Sequence, residues 1–339
     1  MPLPAILDGR LRLPLVAAPM FLASGPDLVL ACCRAGIVGS VPAKNRRTPE
    51  GLDEWLWTIR DGLVADAAAG APMPPFAVNL IVHRTNETLK EELAQCVRHE
   101  VPIVITSLGA VPELVDSVHA YGGLVFHDVI NLRHARKAIE AGVDGLIAVA
   151  AGAGGHTGRA SPFALINEIR QHFNGVLLLS GGMATGADVA AAQMMGADLA
   201  YLGTRFIGTR ECRAPDAYKQ MLVGTTVQDI VETDRVSGVN ANFLAPSLAA
   251  AGVRLDGDAP DMNIDSELGD ASEGASDDGG GNRPWRDIWS AGHGVGSIHD
   301  LPTVESLVAR MEGEYHAAIA DQQARLASLA ARRRGVSGR

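Results

Sequence analysis

Residues 150–158 read Ala-Ala-Gly-Ala-Gly-Gly-His-Thr-Gly, an apolar run passing into a glycine-rich turn that carries one ionisable side chain, His156. Small residues at the end of a strand let a flat ligand approach the backbone closely. An imidazole in that turn titrates near neutral pH, so it can take a proton from an acidic carbon or hold an anionic substrate by hydrogen bonding. Two further glycine signals, Ser180-Gly181-Gly182-Met183 and Leu202-Gly203-Thr204-Arg205-Phe206, each follow an apolar run. Consecutive backbone N–H groups in such turns, joined by the Thr204 hydroxyl, suit a phosphate, which makes Gly181, Gly182, Gly203 and Thr204 the candidate phosphate ligands. Arg205 reads instead as half of a structural ion pair.

The ends of other apolar runs supply the remaining candidates: Ala18, Pro19 and Met20 after the first, Asn79 in the third, Thr106 after the fourth and His127 after the fifth. A proline–methionine pair among small residues suits the face of a flat apolar ring, while Asn and Thr hydrogen-bond a polar ring edge. Such a lining suits an isoalloxazine ring. His99, His134, His172 and His316 lie in helical stretches beside charged residues and are expected at the surface.

The elements that must position these groups recur with a regular beat. Apolar runs at 15–18, 36–41, 76–82, 101–106, 124–126, 145–149, 176–179 and 199–202 fit buried parallel strands. Helical patterns follow, among them 87–98, 132–141, 162–172 and 187–195, the third opened by Ser161-Pro162 as cap and first-turn proline. Every unusual residue sits in a strand-to-helix loop, which predicts an α/β TIM (β/α)8 barrel rather than a doubly wound sheet. The expected organisation is a barrel over 1–211, a small C-terminal helical insertion or lid over 212–302, and a helix packing on the barrel over 303–339. Within the insertion, 256–278 holds nine acidic residues among Gly, Ser and Ala and reads as a mobile loop reaching to about residue 283.

With 39 acidic against 29 basic side chains the net charge is −10, which argues against nucleic acid and against anionic membrane surfaces as partners. Near the expected rim the basic residues noted are Lys44, Arg46 and Arg47, read as a solvated loop. The four cysteines, Cys32, Cys33, Cys96 and Cys212, form no C-x-x-C pair and have no histidine at ligand spacing, so neither a metal site nor a disulfide framework is expected. No leader pattern opens the chain and no run approaches the length of a membrane span, which leads to the expectation of a cytoplasmic protein acting on a small molecule.

Several of these stretches together resemble the nitronate monooxygenases, formerly called 2-nitropropane dioxygenases. The similarity rests on Ala17-Ala18-Pro19-Met20, Phe76-Ala77-Val78-Asn79-Leu80, Phe126-His127-Asp128-Val129, Gly152-Ala153-Gly154-Gly155-His156, Ser180-Gly181-Gly182, Gly203-Thr204-Arg205-Phe206 and the late Trp285-Arg286-Asp287-Ile288-Trp289-Ser290-Ala291-Gly292. The resemblance implies a non-covalently bound FMN, its phosphate on Gly181, Gly182, Gly203 and Thr204 and its ring against Pro19, Met20, Asn79 and Gly155. It makes His156 the catalytic histidine. It also implies oxidative denitrification of alkyl nitronates, or of nitroalkanes, with O2. Ala150 and Ala151 stand where better-studied members carry a glutamine, and Tyr201-Leu202-Gly203-Thr204 replaces the family's QxGT. Two alternatives stay open: a flavin-dependent enoyl-acyl-carrier-protein reductase, and a non-catalytic FMN-binding barrel.

Overall fold

Side chains at every second strand position share one interior, because successive residues of a strand point to opposite faces. In the computed structural model, which describes residues 3–68, 73–261 and 283–336, the strands are β1 (Leu15–Ala17), β2 (Ser40–Pro42), β3 (Ala77–Ile81), β4 (Ile103–Ser107), β5 (Leu124–Val129), β6 (Gly145–Val149), β7 (Gly155–His156), β8 (Val176–Ser180), β9 (Leu199–Leu202), β10 (Ile230–Thr233) and β11 (Ala241–Leu244). Eight of them form one parallel sheet in the order β1-β9-β8-β6-β5-β4-β3-β2. A parallel bridge from Val16 to Val38 brings the two edges together and nearly closes the barrel. All eight runs expected as strands are strands.

Two apolar layers result from the alternation. Val16, Ala77, Ile103, Ile105, Phe126, Ile147, Leu178 and Leu199 pack on the barrel axis, while Val78, Val104, Val125, Leu146, Leu177 and Ala200 face the surrounding helices. Local chemistry starts and stops those helices. The Ser161 hydroxyl accepts from the Ala164 N–H at 3.3 Å ahead of Pro162–Arg170, and Thr185 with Asp188 forms a reciprocal cap on Gly186–Met195, which ends at Gly196 with φ 109°.

The C-terminal helix Val304–Val336 packs on Gly186–Met195. A Cβ at Gly186 would stand 1.7 Å from the Met311 carbonyl, so the close approach of the two helices requires glycine there. The Gly186 N–H donates to Glu314 at 2.7 Å and the Tyr315 hydroxyl to Gln193 at 2.6 Å. Between barrel and final helix lie the helices Asp216–Val223 and Ala245–Ala250 and an antiparallel hairpin, β10–β11, which the sequence reading did not foresee. Strand β11 adds β7 to its other edge. Most of the acidic stretch expected as a mobile loop, 262–282, lies outside the described residues.

Arg205 is buried and pairs with Asp300 at 3.0 Å, as expected of a structural arginine. His99 is not at the surface: its side chain is fully buried, with Nε2 2.7 Å from Asp53 Oδ1, because the end of its helix turns toward that carboxylate and the Trp57 ring. Lys44 is likewise drawn in, 3.5 Å from Glu92. The four cysteines are buried free thiols. Among the described residues no helix is long and apolar enough to cross a membrane.

Candidate active site

At the carboxyl ends of the barrel strands a cavity of about 630 Å³ opens. Ala18, Pro19, Met20, Asn79, His127, Gly155, His156, Gly181, Gly182, Gly203 and Thr204 line it. Of the residues singled out from sequence, only Thr106 does not.

The reason is register. On β4 and β5 the axis-facing residues are Ile103, Ile105 and Phe126, so by alternation the next two, Ser107 and Asp128, face the interior, and Thr106 and His127 face the helices. Thr106 is buried; its Oγ1 lies 2.7 Å from His127 Nδ1 and donates toward the Phe126 carbonyl at 3.3 Å. It positions His127, which reaches the margin of the cavity. Burial, with the nearby His134, pushes the His127 imidazole down to about 4.

Inside the barrel mouth the sequence reading passed over a hydrogen-bonded row. The Asn79 amide donates to Ser107 Oγ at 2.8 Å, and Ser107 Oγ donates to Asp128 Oδ2 at 2.6 Å. Asp128 Oδ1 is buried with no partner. Burial pushes this carboxyl up to about 6 against the pull of the Ser107 donation. Tyr201 completes the interior layer, its phenol raised by burial and by the Asp128 charge. Period-two alternation from Ile105 and Phe126 was the signal that could have found Ser107 and Asp128.

His156 is held by strand pairing rather than by a free loop. Residues Gly155 and His156 form β7, opposite Asn242 and Ala241 of β11. Gly155 has φ 68°, a region that glycine enters without strain. The amide of Asn242 fixes the turn by donating to the Ala153 carbonyl at 2.7 Å. His156 Nε2 is buried without a hydrogen-bond partner, and burial pushes the imidazole down to about 4. The ring is therefore neutral at neutral pH, with its buried Nε2 unspent.

The late stretch around Trp285 clamps this turn. The Gly152 carbonyl accepts from both the Gly182 and the His293 N–H groups, at 3.1 and 2.9 Å. The Gly292 N–H donates to Thr204 Oγ1 at 2.9 Å, which leaves the threonine's own proton free to donate. The Tyr218 hydroxyl donates to the Ser290 carbonyl and its ring stacks on Trp289. Of the candidate phosphate ligands, Gly182 thus has its N–H engaged within the chain, whereas a Cβ on it would meet nothing within 4 Å.

The chain is similar to known proteins in sequence and fold. The nitroalkane oxidase of Streptomyces ansochromogenes superposes with a TM-score of 0.76 at 24% identity, over 94% of this chain and all of that one, a likeness of fold. A putative monooxygenase of Mycobacterium tuberculosis is 31% identical over 148 residues, 43% of this chain, so the chain spans 40% of that relative's length. A nitronate monooxygenase of Paraburkholderia phytofirmans is 26% identical over 340 residues, covering 89% of this chain and 92% of that protein. The nitronate monooxygenase family model matches residues 8–313, and the chain belongs to the nitronate monooxygenase family, whose members are flavin-dependent oxidoreductases.

Proposed function

We propose that this protein uses FMN and O2 to oxidise alkyl nitronates, and nitroalkanes once their α-carbon is deprotonated. The observation that carries the reading is the unpartnered Nε2 of His156, buried in the wall of a glycine-lined cavity. Bound there, FMN supplies the electron acceptor that O2 reoxidises.

The residues present fit that cofactor. A volume of about 630 Å³ falls within the roughly 300–1,000 Å³ of cofactor sites. A Cβ built on Gly203 would stand 3.7 Å from Met20 and 3.8 Å from Ala18, ordinary contacts with two residues of the cavity wall. Gly181, Gly203 and the free Thr204 proton would hold the phosphate. The Gly182 N–H joins them only by leaving the Gly152 carbonyl. Pro19, Met20 and Gly155 would face the ring, and Asn79 with Asp128 its polar edge.

A neutral nitroalkane loses its α-proton to a base, and the neutral imidazole of His156 accepts it. An anionic nitronate instead raises the proton affinity of that imidazole by its charge, so its binding draws a proton onto His156. Trp285 and Met20 keep water away from the reacting carbon.

The test is oxygen uptake with a panel of nitronates and nitroalkanes, beside the visible spectrum of protein reconstituted with FMN. Wild type should be yellow and consume O2, and His156→Asn should be yellow and inactive. Protein that stays colourless with FMN overturns the reading. Anaerobic NADH that bleaches the flavin favours the reductase alternative, and turnover unchanged in His156→Asn removes the histidine from the chemistry.

A further inference from the structure

The mouth of the cavity is basic, on a chain whose net charge is −10. Helix Leu132–Glu140 follows β5 directly, tied down where the Asn131 side chain accepts from the His134 N–H at 2.9 Å. Two of its residues, His134 and Lys137, line the cavity. Arg133, Arg136 and Lys137 are exposed, and none of the three has an ion-pair partner among the described residues. Arg133 and Lys137 stand one helical turn apart, a spacing of about 5–6 Å between Cβ atoms that lets both reach one anion. Their charges, after burial, hold the His134 imidazole below its ordinary value. Among the described residues the single carboxylate on the cavity wall, Asp128, lies inside the barrel and is engaged by Ser107.

A nitronate of a few atoms at His156 leaves these cations without a role, and the proposed FMN phosphate is assigned to the glycine turns of β8 and β9. Beside the cations the lip carries exposed apolar side chains, Leu108 at 47% and Ile130 at 38%. Apolar lip, adjacent cations and deep reactive pocket together suit a long molecule with a phosphorylated outer end.

We infer that Arg133 and Lys137 bind the ribose phosphate of a nucleotide-tailed substrate whose reactive end enters the cavity beside His156. A nucleotide phosphate is the shared chemistry of two sources, a coenzyme A thioester and a phosphorylated nicotinamide dinucleotide. The inference rests on the flavin reading of the cavity but is measured apart from it.

The experiment is calorimetric titration of the FMN-treated protein with acetyl-CoA and with NADPH, each beside a partner lacking only the ribose phosphate: 3′-dephospho-acetyl-CoA and NADH. One phosphorylated probe should bind at least tenfold more tightly than its partner, with the difference shrinking as salt rises. The arm that shows it names the source. Arg133→Glu with Lys137→Glu should abolish the difference and leave the visible spectrum intact, and Arg133→Lys with Lys137→Arg should retain it. Equal binding within both pairs, or a difference that survives the double charge reversal, overturns the inference. Failure of FMN to bind sinks the flavin reading instead, and the visible spectrum reports that separately.

Discussion

The imidazole of His156 meets the indole of Trp285 edge to face, with ring centroids 5.4 Å apart and planes at 85°. Histidine and tryptophan are far apart in the chain, one from the barrel's sixth loop and one from the stretch before the final helix. Trp285 holds φ 65° and also contacts the Phe243 ring, so hairpin, clamp and glycine turn meet at one point. The indole helps strip water from the imidazole, and that burial is what depresses its proton affinity.

Replacing His156 by Asn should lower kcat at least ~100-fold, at the low end of what general base catalysis contributes. Steady-state oxygen uptake measures it. The flavin spectrum should be unchanged, since the phosphate turns are untouched.

Trp285→Ala should readmit water to His156 and let its pKa climb from about 4 toward the ordinary 6.5. The acid limb of kcat/KM for a nitroalkane moves upward with it. A limb that stays where wild type has it would show that the indole does not set the titration.

Stability should depend on pH through His127 and His156, both held near 4 in the folded protein. Their ordinary value is 6.5, so between 6.5 and 4 the unfolded chain binds more protons and stability falls as pH falls. Asp128 has the opposite sign: held at about 6 against an ordinary 3.8, it contributes stability that is full below 3.8 and lost as pH rises through 6. Asp128→Asn should therefore raise the melting midpoint at pH 7.5 by roughly 2–4 °C, the shift that about 1 kcal/mol produces in a large domain. At pH 4 it should give no gain. Thermal melts at the two pH values decide it.

Gly203→Asp places a carboxylate in the phosphate cradle without a clash, since its Cβ stands 3.7 Å from Met20. FMN affinity should drop more than ~30-fold, about 2 kcal/mol, while the apo-protein melts as wild type does. Equilibrium dialysis against FMN, with an apo melt beside it, separates cofactor loss from misfolding.

Gly154→Ala acts differently, because the added Cβ would stand 2.7 Å from the Gly292 nitrogen and 2.9 Å from Thr204 Oγ1. The Gly292 backbone and the Thr204 side chain are hydrogen-bonded to each other and cannot yield without parting the clamp, so denaturant unfolding should show a loss of about 1–3 kcal/mol. Retained stability would mean that the turn and the clamp are not rigidly joined.

The barrel was legible in the sequence because its signals are local. An apolar run such as 145–149, a glycine stop such as Gly196 and a cap such as Ser161 each act within a few residues, and eight repeats of them leave few topologies. The glycine turns and His156 were legible for the same reason, since a turn needs its glycine where the backbone bends. Which face a strand residue takes is also local, yet it hangs on register: choosing Thr106 in place of Ser107 crosses from interior to exterior in one step. What the residues by themselves left open is everything that depends on distant segments meeting. The β10–β11 hairpin pairs with β7 across the chain, Trp285 strips His156 of water, and Asp128 loses solvent only when the barrel closes over it. Burial and unpartnered hydrogen-bonding atoms are properties of the packed whole, so only the tertiary structure turned a histidine in a glycine turn into a neutral imidazole in the wall of a cavity.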